Sequence, residues 1–98
     1  MNAFIGGNAQ VKGDARVFGG AHVYGDAKVY NNARVYDYAQ VYGYAKVCDY
    51  AHVCGYAKIY GHTWVRGIVK VCRNSILEGD VNISKGWVRN VHWWKDIP

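Results

Sequence analysis

The stretch Ala21-His22-Val23-Tyr24-Gly25-Asp26-Ala27-Lys28-Val29-Tyr30 decides the fold through its spacing. Val23 returns six residues later as Val29. The same register holds from Ile5 through Val11, Val17, Val35, Val41, Val47, Val53, Ile59, Val65, Val71 and Leu77 to Ile83, with no insertion or deletion. A small residue precedes each by two places: alanine from Ala3 to Ala57, then Thr63, Val69, Ser75 and Val81. A period of six suits neither a helix of 3.6 residues per turn nor an isolated hairpin. It suits short parallel strands wound into a coil whose turns stack on one another.

Each unit reads A-x-V-x-G-[D/N/Y], and each position has a task. Alanine and valine alternate with two outward residues, as in a strand with one buried face. The following pair, such as Gly25-Asp26 or Asn31-Asn32, supplies a corner, because glycine and asparagine tolerate the positive φ of a sharp bend. Three strands and three corners close a triangular coil of 18 residues. Coils then repeat at the strand spacing of about 4.8 Å.

The units Val23-Tyr24-Gly25-Asp26-Ala27-Lys28, Val17 with Ala21, and Val41 with Ala45 place an aliphatic residue four before a small one. In this the chain resembles the hexapeptide-repeat family over residues 3 to about 84, and in particular small bacterial and phage proteins with G-[D/N]-A-x-V-Y repeats. The resemblance implies an all-β fold, a left-handed parallel β-helix of about five triangular turns, and commonly a homotrimer. It divides the chain into a coil over 1–84 and an aromatic, basic C-terminal tail over 85–98. That tail, with Trp87, Trp93 and Trp94 beside Lys85, Arg89 and Lys95, suits a cap for the open end of a solenoid.

Ninety-eight residues suit one domain, and a solenoid this short still buries a continuous interior. No apolar run is long enough for a membrane helix, and the first residues lack the basic and apolar regions of a secretion signal. Three cysteines, an odd number, argue against a disulfide framework. The expected setting is therefore cytoplasmic, with no membrane partner and all three thiols reduced. A formal charge of +5, nine tyrosines and four tryptophans suggest an anionic partner.

Residues 18 apart lie above one another, so the outward positions sort into columns. One face carries Arg16, Arg34, His52 and Lys70 beside Phe18, Tyr36, Cys54 and Cys72. A second carries Gln10, Lys28, Lys46 and Trp64 beside Lys12, Tyr30, Cys48 and Arg66. The third carries His22, Gln40 and Lys58 beside Tyr24, Tyr42 and Tyr60. Like charges stacked in neighbouring strands repel. They call for solvent, for the corner residues Asp14, Asp26, Asp37 and Asp49, or for a bound anion. Arginine and lysine interleaved with rings offer a nucleotide both charge and stacking. The ligand-binding candidates are Arg16, Arg34, Lys28, Lys46, Tyr30, Tyr36, Trp64 and Arg66, with Arg89, Trp93 and Trp94 from the tail. The ladder Tyr24-Tyr42-Tyr60 suits a subunit interface instead.

Catalysis finds little support in the residues. The family includes acyltransferases that use an acyl thioester, but their catalytic histidine sits with an inserted loop or extra domain, which residues 3–84 lack. His22 and His52 are the candidate general bases for that alternative. Gamma-class carbonic anhydrases share the fold, but here the histidines fall in different columns, so no metal site is expected. No phosphate loop, cofactor motif or nucleophile elbow occurs. A prism without a recognition helix offers nucleic acid only generic attraction. Adjacent cysteines 54 and 72 come within disulfide reach, but their parallel side chains favour reduced packing thiols. The expected function is a non-catalytic homotrimer that holds an anionic, nucleotide-like small molecule in clefts between subunits, in the manner of a phage sequestration protein. The alternatives are an acyltransferase-like enzyme and a purely structural module.

Overall fold

The computed structural model describes residues 3–89 and 92–94, the backbone alone for residues 89 and 92–94. These residues form strands and corners, with no helix among them. In chain order the strands are β1 (Phe4–Ile5), β2 (Gln10–Val11), β3 (Arg16–Val17), β4 (His22–Val23), β5 (Lys28–Val29), β6 (Arg34–Val35) and β7 (Gln40–Val41). Then follow β8 (Lys46–Val47), β9 (His52–Val53), β10 (Lys58–Ile59), β11 (Trp64–Cys72), β12 (Ile76–Glu78), β13 (Asn82–Arg89) and β14 (His92–Trp94). The short strands pair in parallel with the strand three places on: Phe4 lies beside His22, His22 beside Gln40, Gln40 beside Lys58. At β12 the pattern continues with Lys58 beside Ile76. The offset is the expected 18 residues. The chain is a parallel β-solenoid of about five coils, with principal extents of 36, 23 and 22 Å.

The six-residue unit explains each part of the coil. From Ala21 to Ile59 every inward alanine, valine and isoleucine is fully buried. Each buried valine or isoleucine contributes about 1.5–3 kcal/mol of transfer free energy. Backbone amides reach along the axis to the next coil, as in Gln10 N–H to the Ala27 carbonyl at 3.0 Å and Lys46 N–H to Thr63 at 2.9 Å. The corners are left-handed, with φ of 68° at Gly25 and Gly43 and 61–63° at Asn31, Asp37, Asp49 and Arg73. Where the small position becomes polar, its hydroxyl is satisfied inside the fold. Thr63 Oγ1 donates to the Tyr60 carbonyl at 2.8 Å, and Ser75 Oγ to that of Cys72 at 2.9 Å.

The last coil departs from the strict period without leaving the solenoid. β11 runs through a corner unbroken, and β13 pairs with it across residue 84. The register is Val65 with Ile83, then Ile68 with Lys85, so one residue is lost at that corner. Ile76 pairs with His92, so a second is lost at the next. Shortening by one places Val88 beside Val71, and shortening by two places Trp93 beside Leu77 in backbone register. Val88 is buried. No helix among the described residues is long and apolar enough to cross a membrane.

The expectation of three reduced thiols is corrected. Cys54 and Cys72 form a disulfide across adjacent coils, their Cα atoms 4.6 Å apart. The parallel register sets that separation, and the two side chains leave one face side by side, so closure needs no change of fold. Cys48 is a free, buried thiol.

Candidate functional site

One face of the prism is built by β3, β6, β9 and the second half of β11. Its register puts Arg16 beside Arg34, Arg34 beside His52, and His52 beside Lys70. Arg16, Arg34 and Lys70 are exposed and His52 is half-buried. At about 4.8 Å per coil, the four groups span about 14 Å along the axis. Such stacking is unfavourable unless something negative lies against it.

Two of the corner aspartates that could neutralise this column are engaged elsewhere. Asp37 Oδ2 accepts the Gly55 N–H at 3.1 Å. Asp49 accepts from both sides, from Asn31 Nδ2 at 3.0 Å and from the Gly67 N–H at 3.0 Å. Both aspartates occupy left-handed corners, where the short side chain can bond a neighbouring coil. His52 registers the uncompensated charge. Burial first, then the neighbouring charges of Arg34 and Lys70, pull its pKa below the ordinary value of 6.5. It is the neutral member of the column at neutral pH.

The rings beside the column are used differently from the sequence expectation. Phe18 and Tyr36 stack on each other at 5.1 Å and 5°, each covering a face of the other. Tyr36 also meets the ring of His52, edge to face, at 6.1 Å and 77°. Tyr24, Tyr42 and Tyr60 likewise stack at 4.9 and 4.8 Å. A ladder whose rings lie on one another has little face left for a flat ligand and presents ring edges instead. Burial, followed by a hydrogen bond to Glu78, pushes the Tyr60 hydroxyl up to about 12.

The second face, from β2, β5, β8 and the first half of β11, holds the other basic candidates. Lys28 lies beside Lys46 and Lys46 beside Trp64. The Trp64 ring is already in use. Lys46 Nζ stands 5.5 Å and Arg66 Cζ 4.8 Å from its centre, and Nε1 donates to Cys48 Sγ at 3.2 Å. Arg66 also donates through Nε to Asn82 Oδ1 at 3.1 Å. Burial, then a hydrogen bond with Cys48, pushes the Tyr30 hydroxyl up to about 12. This is a knit cluster of aromatic, thiol and cationic groups rather than an open receptor.

The candidates therefore divide. Arg16, Arg34 and Tyr36 come together on the first face. Lys28, Lys46, Tyr30, Trp64 and Arg66 come together on the second. Arg89 continues the first face in backbone register with Cys72. Trp93 and Trp94 pair with Leu77 and Glu78 on the third, and for these three tail residues the backbone alone is described. His22 sits on the third face in an edge contact with Phe4, ring centres 5.7 Å apart, on a different sheet from His52. Sequence reasoning passes over Lys70 and His52 as ligand groups, although the 18-residue steps from Arg34 to His52 and from His52 to Lys70 place them in its column. Among the described residues no group of three or more histidine, cysteine or acidic side chains is placed to hold a metal ion.

The arrangement can attract and orient an elongated anion by charge and hydrogen bonding. Two guanidinium groups one coil apart can each offer a planar fork to a phosphate or carboxylate. Comparison of the chain with models of known families, with curated proteins and with solved structures finds no match.

Proposed function

We propose that the chain is a non-catalytic binding protein whose Arg16–Arg34–His52–Lys70 face holds an anionic, nucleotide-like small molecule through its phosphate groups. The observation that supports it is the in-register cationic column beside corner aspartates that bond neighbouring coils instead. Charge carries the recognition, since the neighbouring rings already stack on one another. The coil belongs, in this reading, to the left-handed hexapeptide-repeat type, and three chains assemble so that the basic face lines a cleft between subunits. The protein then acts by sequestering its ligand, as a phage-type protein would in the cytoplasm.

Native mass spectrometry of the purified protein tests this reading, followed by titration with ATP. The expected species is a trimer of about 33 kDa, three chains of 11.0 kDa, that carries or takes up a stoichiometric anion and releases it on denaturation. A bare monomer that takes up no ATP at low salt would overturn it.

A further inference from the structure

Resting on that reading, we propose that anion binding is linked to protonation of His52, so that the protein holds its ligand more tightly in mild acid than at neutral pH. The geometry is specific to this histidine. β9 lies between β6 and β11, and its neighbours in register are Arg34 on one side and Lys70 on the other. From β6 the Tyr36 ring also meets it, edge to face. From β11 comes Cys72, closed into a disulfide with Cys54, the residue that follows β9, so neither titrates. Asp49, in the corner that leads into β9, accepts from Asn31 and Gly67. The charged groups in register with His52 are thus both positive.

An anion long enough to touch both Arg34 and Lys70 must pass over His52. Those two cations are separated by two coil spacings, about 10 Å. A ligand with two anionic groups that far apart, such as an oligophosphate, has its charge where the imidazole lies. Without the anion, protonating His52 adds a fourth positive charge to a row that already carries Arg16, Arg34 and Lys70. With it, the same proton meets a negative partner and two neutralised neighbours. The direction of the His52 shift agrees, since Arg34 and Lys70 are among its causes and an anion cancels both.

Linkage then fixes the sign. If binding raises the affinity of His52 for a proton, lowering the pH raises the affinity for the anion by the same factor. A rise of one pKa unit on binding corresponds to roughly tenfold in affinity. His22 has no such role: it stands on another sheet, between Phe4 and Gln40 in register.

The test uses a fully sulfated disaccharide, whose charge does not change between pH 5 and pH 8, titrated calorimetrically into the intact protein. The variants are His52→Gln and, on the other sheet, His22→Gln. Glutamine already occupies the equivalent repeat position at Gln10 and Gln40, so the coil accepts it. Wild type and His22→Gln should bind roughly tenfold more tightly at pH 5 than at pH 8, with proton uptake on binding between those two pH values. His52→Gln should lose most of that dependence while still binding. A wild-type affinity independent of pH, or a dependence that survives in His52→Gln, overturns the linkage and leaves the binding face standing. Failure to bind at any pH overturns both.

Discussion

Asp49 shows how much one side chain settles in this coil. It takes a left-handed φ of 61° where other units use glycine, and its two carboxylate oxygens accept from Asn31 and Gly67 on neighbouring coils. Arg73 takes nearly the same φ, 63°, with neither advantage of a short polar side chain. Asp49→Ala should therefore cost about 2 kcal/mol, from lost hydrogen bonds and a conformation alanine dislikes. Arg73→Gly should gain about 0.5 kcal/mol, the relief of the left-handed cost less the entropy glycine loses. Urea denaturation of the two variants beside wild type checks the pair. Two destabilised variants of equal size would mean that the corners are not governed by backbone conformation. Except at Arg73, the corner residues are legible as turn formers from Gly, Asn and Asp alone. Their bonds along the axis are not, because a composition rule names the bend and says nothing of what the next coil presents to it.

At the scale of the strand, the six-residue period carries most of the information. It identifies the inward columns, and the inward residues from Ala21 to Ile59 are buried as that alternation requires. The same period puts Arg16, Arg34, His52 and Lys70 in one row. It fails where the chain changes its own spacing. Losing two residues in the last coil hides the pairing of Val71 with Val88 and of Leu77 with Trp93, so a solenoid strand reads as a decayed tail. The disulfide escapes the sequence for a different reason. Spacing places Cys54 and Cys72 on adjacent coils, but the parallel direction of their side chains argues for thiols, and the short Cα separation of 4.6 Å outweighs it. The bond joins residues 18 apart, a loop whose closure constrains the unfolded chain by about 3 kcal/mol. Reduction should lower the unfolding midpoint accordingly and leave the far-ultraviolet circular dichroism of the folded protein unchanged. Loss of the β signal on reduction at room temperature would show that the coil depends on the bond, contrary to a fold held by its stacked core.

For the whole molecule, the charge distribution separates the faces. Two carry rows of lysine and arginine, and in one of them the cations are already gathered around Trp64. The third carries the tyrosine ladder that ends at Glu78, with Lys58 in the neighbouring column. A prism with this division can bind an anion on one side and still have a less charged surface for self-association, which is the arrangement a cleft between subunits requires. The basic row is legible from spacing alone. Spacing does not reveal that the rings beside it stack on one another, which in the proposed function moves the weight of recognition from stacking to charge.

In the proposed function Arg16 and Arg34, one coil apart, bind the anion together. The most direct measurement is calorimetric titration of the fully sulfated disaccharide at low salt into wild type and into Arg16→Ser/Arg34→Ser, with circular dichroism confirming that both are folded. Each lost charge-assisted contact is worth about 1.5–3 kcal/mol, so the double variant should bind roughly a hundredfold more weakly or worse. An affinity within about a factor of two of wild type, under 0.5 kcal/mol, would mean that these arginines do not hold the anion.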